Sequence, residues 1–238
     1  MQRALALIYP DQCILCGELV ERPGALCAAC WRDTDFLTGH CCDHCAIPLA
    51  GSGDGNADLC DDCLSFERPW LKGRAVFSYS GAGRRLVLGL KHADRTDLAK
   101  PSAMWMARAG HELLADGTVI VPVPTHWRRL VQRRYNQAAE LARELSKTTG
   151  LQFCPDALVR TRKTRIQDGM TIEQRFANVK GAITFNPRRK SDIQGCSVCV
   201  IDDVMTSGAT LSAATEALYD AGADQVFVLA LARVIKTP

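Results

Sequence analysis

Short apolar runs alternate with amphipathic segments through the last two thirds of the chain. Runs of this kind predict strands at residues 75–79, 118–123, 158–160, 198–201 and 225–232. Apolar residues at helical spacing predict helices through Leu86 and Leu90, and at residues 98–114, 136–149 and 209–221. A strand followed repeatedly by a helix is typical of a parallel sheet with helices packed against it. The pattern therefore predicts an α/β fold.

Residues 1–70 have a different composition from the rest of the chain. They contain few large apolar residues, too few for a self-sufficient hydrophobic core, and residues 51–55 read as a loop. A chain of 238 residues has room for one ordinary core and a small additional module. We therefore expect a small module at residues 1–70 and an α/β domain at residues 71–238.

Cysteine is concentrated in the first module, which holds nine of the 12 cysteines of the chain. Eight of them form pairs separated by two residues: Cys13 and Cys16, Cys27 and Cys30, Cys42 and Cys45, and Cys60 and Cys63. This spacing lets both thiolates of a pair face one tetrahedral ion, so four pairs supply two four-cysteine zinc sites. A disulfide framework is the alternative, and it requires an exported protein. We expect structural Zn²⁺ in one or two sites, with no catalytic role.

The sequence predicts the zinc sites more firmly than it predicts which cysteine pairs bind the same ion. Sequential grouping closes short loops and is favoured by loop-closure entropy, and a cross-braced grouping remains open. Cys41 lies beside a predicted ligand and is interpreted as a spare, while His40 or His44 could replace a cysteine in a variant site. Cys196 and Cys199 share the two-residue spacing, but on a strand they point to opposite faces and are expected to pack in the core.

Charge is distributed unevenly between the two parts of the chain. Residues 1–70 hold 4 Lys and Arg against 11 Asp and Glu, and residues 71–238 hold 25 against 15. A four-cysteine zinc site makes the first part still more negative, because four thiolates outweigh one divalent ion. If the protein binds nucleic acid, the positive surface should therefore lie chiefly on residues 71–238.

The most informative segment is 198–210, which reads VCVIDDVMTSGAT. An apolar strand leads to Asp202 and Asp203, whose carboxylates suit two neighbouring sugar hydroxyls. A turn of small and hydroxyl-bearing residues then opens a helix, where backbone N–H groups favour a phosphate monoester. The residues of this turn are Thr206, Ser207, Gly208, Ala209 and Thr210. A P-loop nucleotidase is excluded, because the chain has no G-x-x-x-x-G-K-[ST] motif.

Together these motifs identify a family resemblance. The segment 198–210 is similar to the phosphoribosyl pyrophosphate (PRPP) signature of type I phosphoribosyltransferases. With VPVP at 121–124, RRYNQA at 133–138, RKTRIQ at 162–167 and the four cysteine pairs, nearly the whole chain resembles the ComF family of competence-associated proteins. The implied fold is that of a type I phosphoribosyltransferase with an amino-terminal zinc-binding module.

The resemblance also implies site residues outside the signature. A pyrophosphate loop would include Thr125, Arg129, Arg133, Arg134, Asn136 and Gln137. A flexible loop covering the active site would include Arg162, Lys163, Thr164, Gln167, Arg175 and Asn178. The sequence departs from the family pattern at Arg134, where many relatives have glycine, and at Ser207, which replaces a threonine and keeps its hydroxyl. Mg²⁺ would accompany PRPP.

Two classes of function follow from the resemblance. The first is a phosphoribosyltransferase that transfers phosphoribose to an acceptor and acts in DNA uptake or natural transformation. The second is a non-catalytic sensor of PRPP or a nucleotide that binds single-stranded DNA or a protein of the competence machinery. No catalytic residue is identified. Asp202 or Asp203 could act as a general base, although their ribose role is better supported, and Lys91, His92 and His126 are further candidates without a specific signal. A cytoplasmic location is expected, since no segment has the length and apolarity of a membrane span or a signal peptide.

Overall fold

The computed structural model describes residues 10–53, 58–91, 95–126, 135–164 and 169–235. Up to residue 70 the chain forms two small cysteine-bearing units with two short helices, α1 (Ala28–Arg32) and α2 (Asp61–Ser65). Isolated antiparallel bridges join Gln12 to Leu19 and Cys41 to Pro48. Each bridge closes a chain reversal that carries a cysteine pair.

The remaining elements build the predicted α/β domain. Their bounds are β1 (Lys72–Ser78), α3 (Gly81–Gly89), α4 (Ala99–Ala109), β2 (Val119–Pro122), α5 (Gln137–Thr149), β3 (Leu158–Arg160), α6 (Ile172–Val179), β4 (Ile183–Phe185), α7 (Lys190–Ile193), β5 (Ser197–Met205), α8 (Ala209–Asp220) and β6 (Gln225–Arg233). Short 3₁₀ turns lie at Thr96–Leu98, His111–Leu113 and Pro187–Arg189.

Four strands form the central sheet in the order β1-β6-β5-β2, and every neighbouring pair is parallel. Strands β3 and β4 form a separate antiparallel pair. Parallel strands are buried on both faces when helices cover them, which explains the nearly continuous apolar runs of β5 and β6. The α/β fold class predicted from the sequence is confirmed.

The cysteine-bearing segment packs against both faces of this sheet. Val198 and Val200 of β5 belong to an apolar cluster that also contains Cys42, Cys45 and Cys63. Cys199 and Ile201, which point the other way, belong to a second cluster that contains Cys13, Cys27 and Cys30. The segment 1–70 therefore shares its hydrophobic core with the sheet.

Backbone contacts and charges join the same segment to β1. The Gly73 N–H donates to the Asp43 carbonyl at 2.7 Å, and a Cβ at Gly73 would lie 2.3 Å from the His44 carbonyl oxygen. Arg74 and Lys72 each pair with both Asp43 and Glu112, at distances of 2.6 to 3.2 Å. This four-charge network bridges the cysteine-bearing segment, β1 and the turn after α4.

Helix and strand ends agree with the sequence in most places. The side chain of Asn136 accepts a hydrogen bond from the Ala138 N–H and caps α5, and Gly150 ends that helix with a φ of 77°. The helix expected at 98–114 stops at Ala109, and after Gly110 the chain enters a 3₁₀ turn. Glycine is required at position 110 because a Cβ there would lie 2.7 Å from Leu229. Strand β5 continues four residues beyond its expected end.

One helix was not expected. The segment that resembles a flexible loop contains α6, which begins with a capping box between Thr171 and Gln174. The sequence does carry signals for it, because Ile172, Phe176 and Val179 recur at helical spacing and T-x-x-Q is the spacing of a capping box. Arg175 and Asn178 lie on this helix and not on an irregular loop. No helix in the described part of the chain has the length and apolarity needed to cross a membrane.

Candidate functional site

The eight paired cysteines form two groups in the sequential arrangement. One contains Cys13, Cys16, Cys27 and Cys30, and the other contains Cys42, Cys45, Cys60 and Cys63; within each, the sulfur atoms all lie within 4.8 Å of one another. We call these groups the first and the second cysteine group. Sulfur atoms of adjacent pairs are 3.6 Å apart in the first group and 3.5 Å apart in the second. A tetrahedral zinc site with bonds of about 2.3 Å places its sulfur atoms about 3.8 Å apart, so both groups fit Zn²⁺.

The other residues considered as zinc ligands form different contacts or are buried. His40 Nε2 lies 2.8 Å from Asp58 Oδ2, and this hydrogen bond raises the pKa of His40. Neither His40, His44 nor Cys41 belongs to a group of potential ligands in the described part of the chain. Burial raises the pKa of the Cys199 thiol, which packs among apolar residues as expected.

The two adjacent carboxylates lie where β5 extends past β2. The pairing between these strands ends at Pro122 and Ile201, while β5 stays paired to β6 as far as Met205. The edge of β5 from Asp202 onward therefore has no strand on the β2 side in the described part of the structure. Ligands of open α/β sheets bind at the carboxyl ends of such strands.

Asp202 and Asp203 do not share one face of the sheet. Successive side chains of a strand alternate, and the Asp203 carboxylate lies 3.6 Å from the ammonium of Lys91 at the end of α3. Burial, and then the charge of Asp203, raises the pKa of Asp202 well above its usual value. A ligand that contacts both carboxylates must lie across the strand end and not on one face.

The turn after β5 has the conformation expected of an anion-binding turn. Gly208 has a φ of 81° and directly precedes α8, whose twelve residues begin at Ala209. The left-handed conformation costs other residues about 1–2 kcal/mol, which explains the glycine. The first N–H groups of a helix have no intrahelical acceptors and carry partial positive charge. Residues 206–210, which we call the phosphate loop after their expected role, place Gly208 and the first N–H groups of α8 directly after β5.

Side chains from two other regions of the chain hydrogen-bond to the backbone of the phosphate loop or pack against it. Arg68 Nη1 donates to the Ser207 carbonyl at 2.6 Å. Arg233 Nη1 donates to the carbonyls of Met205 and Thr206 at 3.2 and 2.6 Å. The ring of Trp70 lies beneath Gly208, because a Cβ there would be 2.9 Å from Trp70 Cη2. Sequence analysis missed all three side chains, since none falls in a motif.

Three residues of the expected pyrophosphate loop are described, and they lie at its two ends. Thr125 donates its hydroxyl to Asn136 Oδ1 at 3.0 Å, and Asn136 Nδ2 donates to the Val123 carbonyl at 3.0 Å. Gln137 is buried, and its Nε2 has no acceptor among the described residues. Arg129, Arg133 and Arg134 lie outside the described residues.

The expected flexible loop lies between β3 and β4 and includes α6. Arg162 donates to the carbonyls of Asn178 and Lys180 at 3.1 and 3.0 Å, which ties the two sides of this segment together. Arg175 and Thr206 line one cleft of about 660 Å³ with Arg68 and Arg233. Lys163 and Thr164 are exposed, the latter partly, and the Thr164 hydroxyl accepts a bond from Arg160. Gln167 lies outside the described residues.

Comparisons with known proteins cover both parts of the chain. Residues 4–64 match the family model described as a double zinc ribbon domain. The DNA utilization protein YhgH of Escherichia coli (strain K12) is 29% identical over 235 residues, 96% of this chain and 100% of the relative. Competence protein F of Haemophilus influenzae is 27% identical, covering 93% of this chain and 96% of the relative. Competence protein ComFC of Bacillus subtilis is 23% identical over 92% and 83%.

Solved structures are similar over part of the chain only. A phosphoribosylpyrophosphate synthetase from Mycobacterium smegmatis has a TM-score of 0.35 and 17% identity, covering 58% of this chain and 34% of its own. The chain thus spans about a third of that protein. An adenine phosphoribosyltransferase from Saccharomyces cerevisiae has a TM-score of 0.31 and 16% identity, covering 63% and 69%.

Proposed function

We propose that this chain binds PRPP and acts in the use of incoming DNA, since it is similar over nearly its whole length to DNA utilization and competence proteins and matches the double zinc ribbon model at residues 4–64. The observation that carries this proposal is the position of the phosphate loop. It follows directly on Asp202 and Asp203, at the part of β5 that β2 leaves uncovered. Acceptors for the ribose hydroxyls and donors for the 5-phosphate are therefore adjacent, which is the arrangement that a ribose 5-phosphate requires.

Each part of the site has a role in binding PRPP. The N–H groups and hydroxyls of the phosphate loop bind the 5-phosphate, and the carboxylates of Asp202 and Asp203 accept hydrogen bonds from the ribose hydroxyls. Because the two carboxylates leave opposite faces of β5, the ribose lies across the strand end. The neighbouring loop after β2, with Thr125 and Gln137 at its ends, binds the diphosphate.

Mg²⁺ prefers oxygen ligands, and it would neutralise charge on the leaving diphosphate when bound. The acidic oxygens of this site that fit it are those of Asp202 and Asp203. The residues of the chain provide binding and orientation, and α6 with its flanking segment covers the cleft beside the phosphate loop and excludes water.

In the enzymatic form of the proposal, a nucleophilic acceptor forms a bond to C1 of the ribose while the bond from C1 to the diphosphate breaks. The acceptor loses a proton, and pyrophosphate leaves with the bonding electrons. Positive charge develops on the ribose ring during this step, and the nearby carboxylates stabilise it. The reaction belongs to the pentosyl-transfer class.

Release of pyrophosphate tests the enzymatic form. Zinc-loaded protein is mixed with PRPP, Mg²⁺ and a panel of nucleobases and amines, and pyrophosphate is measured by a coupled assay. Release that depends on an acceptor and is lost in Asp203→Asn supports a transferase. Binding of PRPP with no release from any acceptor contradicts a transferase for that panel and favours the sensor.

The sensor alternative predicts binding of single-stranded DNA. Its affinity should fall steeply with salt, because cationic side chains release counterions from the phosphates. In the described part of residues 71–238, the exposed cations available for such contacts include Arg188 and Lys163. Affinity for a labelled oligonucleotide should be weaker in Arg133→Glu/Arg134→Glu; unchanged affinity would place the interface elsewhere, including the zinc module.

A further inference from the structure

When it holds Zn²⁺, the second cysteine group has a negative charge that nearby cations must balance. Four thiolates and one Zn²⁺ carry a net charge of two negative units. Three of its four cysteines, Cys42, Cys45 and Cys63, are at most 3% exposed and belong to an apolar cluster. An uncompensated charge is costly in such surroundings.

Two buried arginines lie beside this group. Arg68 is 6% exposed and Arg233 is 4% exposed, and within the described ranges neither guanidinium forms an ion pair with a carboxylate. Arg233 Nε donates to the carbonyl of Cys45 at 2.9 Å. Cys60, Arg68 and Arg233 line the same cleft, so both guanidiniums lie next to the second cysteine group. Their two positive charges match the two negative charges of the loaded group.

The same two guanidiniums hold the phosphate loop. They donate to three consecutive carbonyl oxygens, those of Met205, Thr206 and Ser207, at distances of 2.6 to 3.2 Å. A carbonyl oxygen facing a phosphate would repel it, so fixing these oxygens on the guanidinium side keeps them away from an anion. Trp70, which underlies Gly208, donates its Nε1–H to the His44 carbonyl at 2.8 Å, between Cys42 and Cys45. The loop thus rests on the second cysteine group.

Arg68 also reaches the cover of the cleft. Its guanidinium carbon lies 5.8 Å from the ring centre of Trp70 and 5.9 Å from that of Phe176 on α6. One side chain therefore contacts the zinc-binding segment, the phosphate loop and α6. The first cysteine group packs in the other apolar cluster, whereas Met205 and Ala209 beside the phosphate loop belong to the cluster of the second group.

We propose that Arg68 and Arg233 are positioning residues that balance the charge of a metal-loaded second cysteine group and hold the phosphate loop in its anion-binding form. Metal at this group and a phosphate monoester at the loop then strengthen each other's binding. The phosphate half of this inference rests on the proposed function, and the charge-balance half stands by itself. Linkage requires that the effect be reciprocal.

The reciprocal effect can be measured on the full-length, zinc-loaded protein. A chelator is added with or without saturating ribose 5-phosphate, and newly free cysteines are alkylated and located by mass spectrometry. We expect ribose 5-phosphate to slow alkylation of Cys60 and Cys63 by about 5- to 150-fold, the usual range of coupling between two sites. Alkylation of Cys13 and Cys16 should keep its rate. Equal protection of both groups, or of neither, overturns the coupling.

Two variants of Arg68 test the mechanism. Arg68→Met should release zinc from the second group about 10- to 100-fold more readily even without ligand, as is usual for residues that support metal ligands. Arg68→Lys keeps the charge and loses the planar fork, so it should recover zinc retention while ribose 5-phosphate affinity stays low. Arg143→Met, on the exposed surface of α5, is the matched control and should leave both unchanged.

The outcomes separate this inference from the proposed function. If calorimetry detects no binding of ribose 5-phosphate or PRPP, the proposed function and the phosphate half of the inference are both contradicted. The charge-balance half is still decided by zinc release from Arg68→Met. Zinc loss from Arg68→Met at the wild-type rate overturns the charge-balance half. Arg68→Lys that recovers both zinc and full ligand affinity shows that charge alone acts, and overturns the positioning of the loop.

Discussion

At the scale of residues, the two adjacent aspartates are unlike each other. The Asp203 carboxylate lies 3.6 Å from the ammonium of Lys91. Asp202 is half-buried and lies next to another carboxylate, and burial and then the charge of Asp203 raise its pKa. A site that keeps a partly buried carboxylate beside a second one sacrifices stability for binding, because the hydroxyls of a bound ligand add to the hydrogen bond that Asp202 accepts from the Asp203 N–H.

This difference predicts opposite effects of two amide substitutions. A carboxyl with a raised pKa in the folded chain stabilises the fold while it is protonated, and that stability is lost as the pH rises through the folded pKa. Asp202→Asn should therefore unfold at a higher temperature than the wild type at pH 7.5, with a difference that shrinks as the pH falls toward about 3.9, the ordinary pKa of an aspartate. Asp203→Asn loses an ion pair worth at most about 1 kcal/mol and should be unchanged or less stable. Calorimetric scans across this pH range check both; equal shifts would contradict the assignment.

At the scale of elements, the sequence correctly predicted those strands and helices in which the end signals and the apolar pattern indicate the same element. Asn136 and Gly150 mark both ends of α5, and the unbroken apolar run of β5 and β6 marks buried parallel strands. Helix α6 was missed because the glycine and polar residues before it and its resemblance to a flexible loop indicated irregular structure, although Ile172, Phe176 and Val179 recur at helical spacing. The extension of β5 was missed because Asp202 and Asp203 read as a strand end, while pairing with β6 continues through them.

The phosphate loop gives a prediction for one glycine. Gly208→Ala combines a left-handed φ with contact against Trp70 and Arg68. Gly150→Ala has nearly the same φ, 77°, with no atom within 4 Å of the added Cβ, so it isolates the backbone cost of about 1–2 kcal/mol. We expect Gly208→Ala to be the less stable variant and to lose ribose 5-phosphate affinity, measured by denaturant unfolding and calorimetric titration. Equal losses in the two variants would show that the contact with Trp70 is unimportant.

At the scale of the whole molecule, the cysteine-bearing segment is part of the sheet's hydrophobic core. The sequence predicted the two cysteine groups from spacing alone, and it suggested a boundary at residue 70 from composition. Composition cannot report that Phe36 contacts Phe77 of β1, or that Trp70 lies beneath Gly208. The contacts of Arg68 and Arg233 with the phosphate loop were likewise invisible, because their partners are backbone carbonyls far away in the chain.

Removal of zinc should therefore affect the entire chain. Each apolar cluster contains cysteines of one group, so loss of the metal leaves buried thiolates or collapsed loops inside both clusters. We expect the metal-free protein to unfold at a much lower temperature than the zinc-loaded protein, and the zinc-loaded protein to unfold in one transition that both ellipticity and tryptophan fluorescence follow. A second transition that keeps its temperature after chelation would show that residues 71–238 fold independently of the zinc module.

Binding of PRPP to the strand end of β5 is the central claim, and one titration tests it most directly. PRPP with Mg²⁺ is titrated calorimetrically into the full-length, zinc-loaded protein and into Asp202→Asn/Asp203→Asn. Loss of two charged acceptors should weaken binding by about 1.5–3 kcal/mol for each hydrogen bond to a charged group, which is at least tenfold. Binding of one PRPP per chain, weakened at least tenfold in the variant, is the predicted result. Absence of binding, or equal affinity in both proteins, would contradict the account.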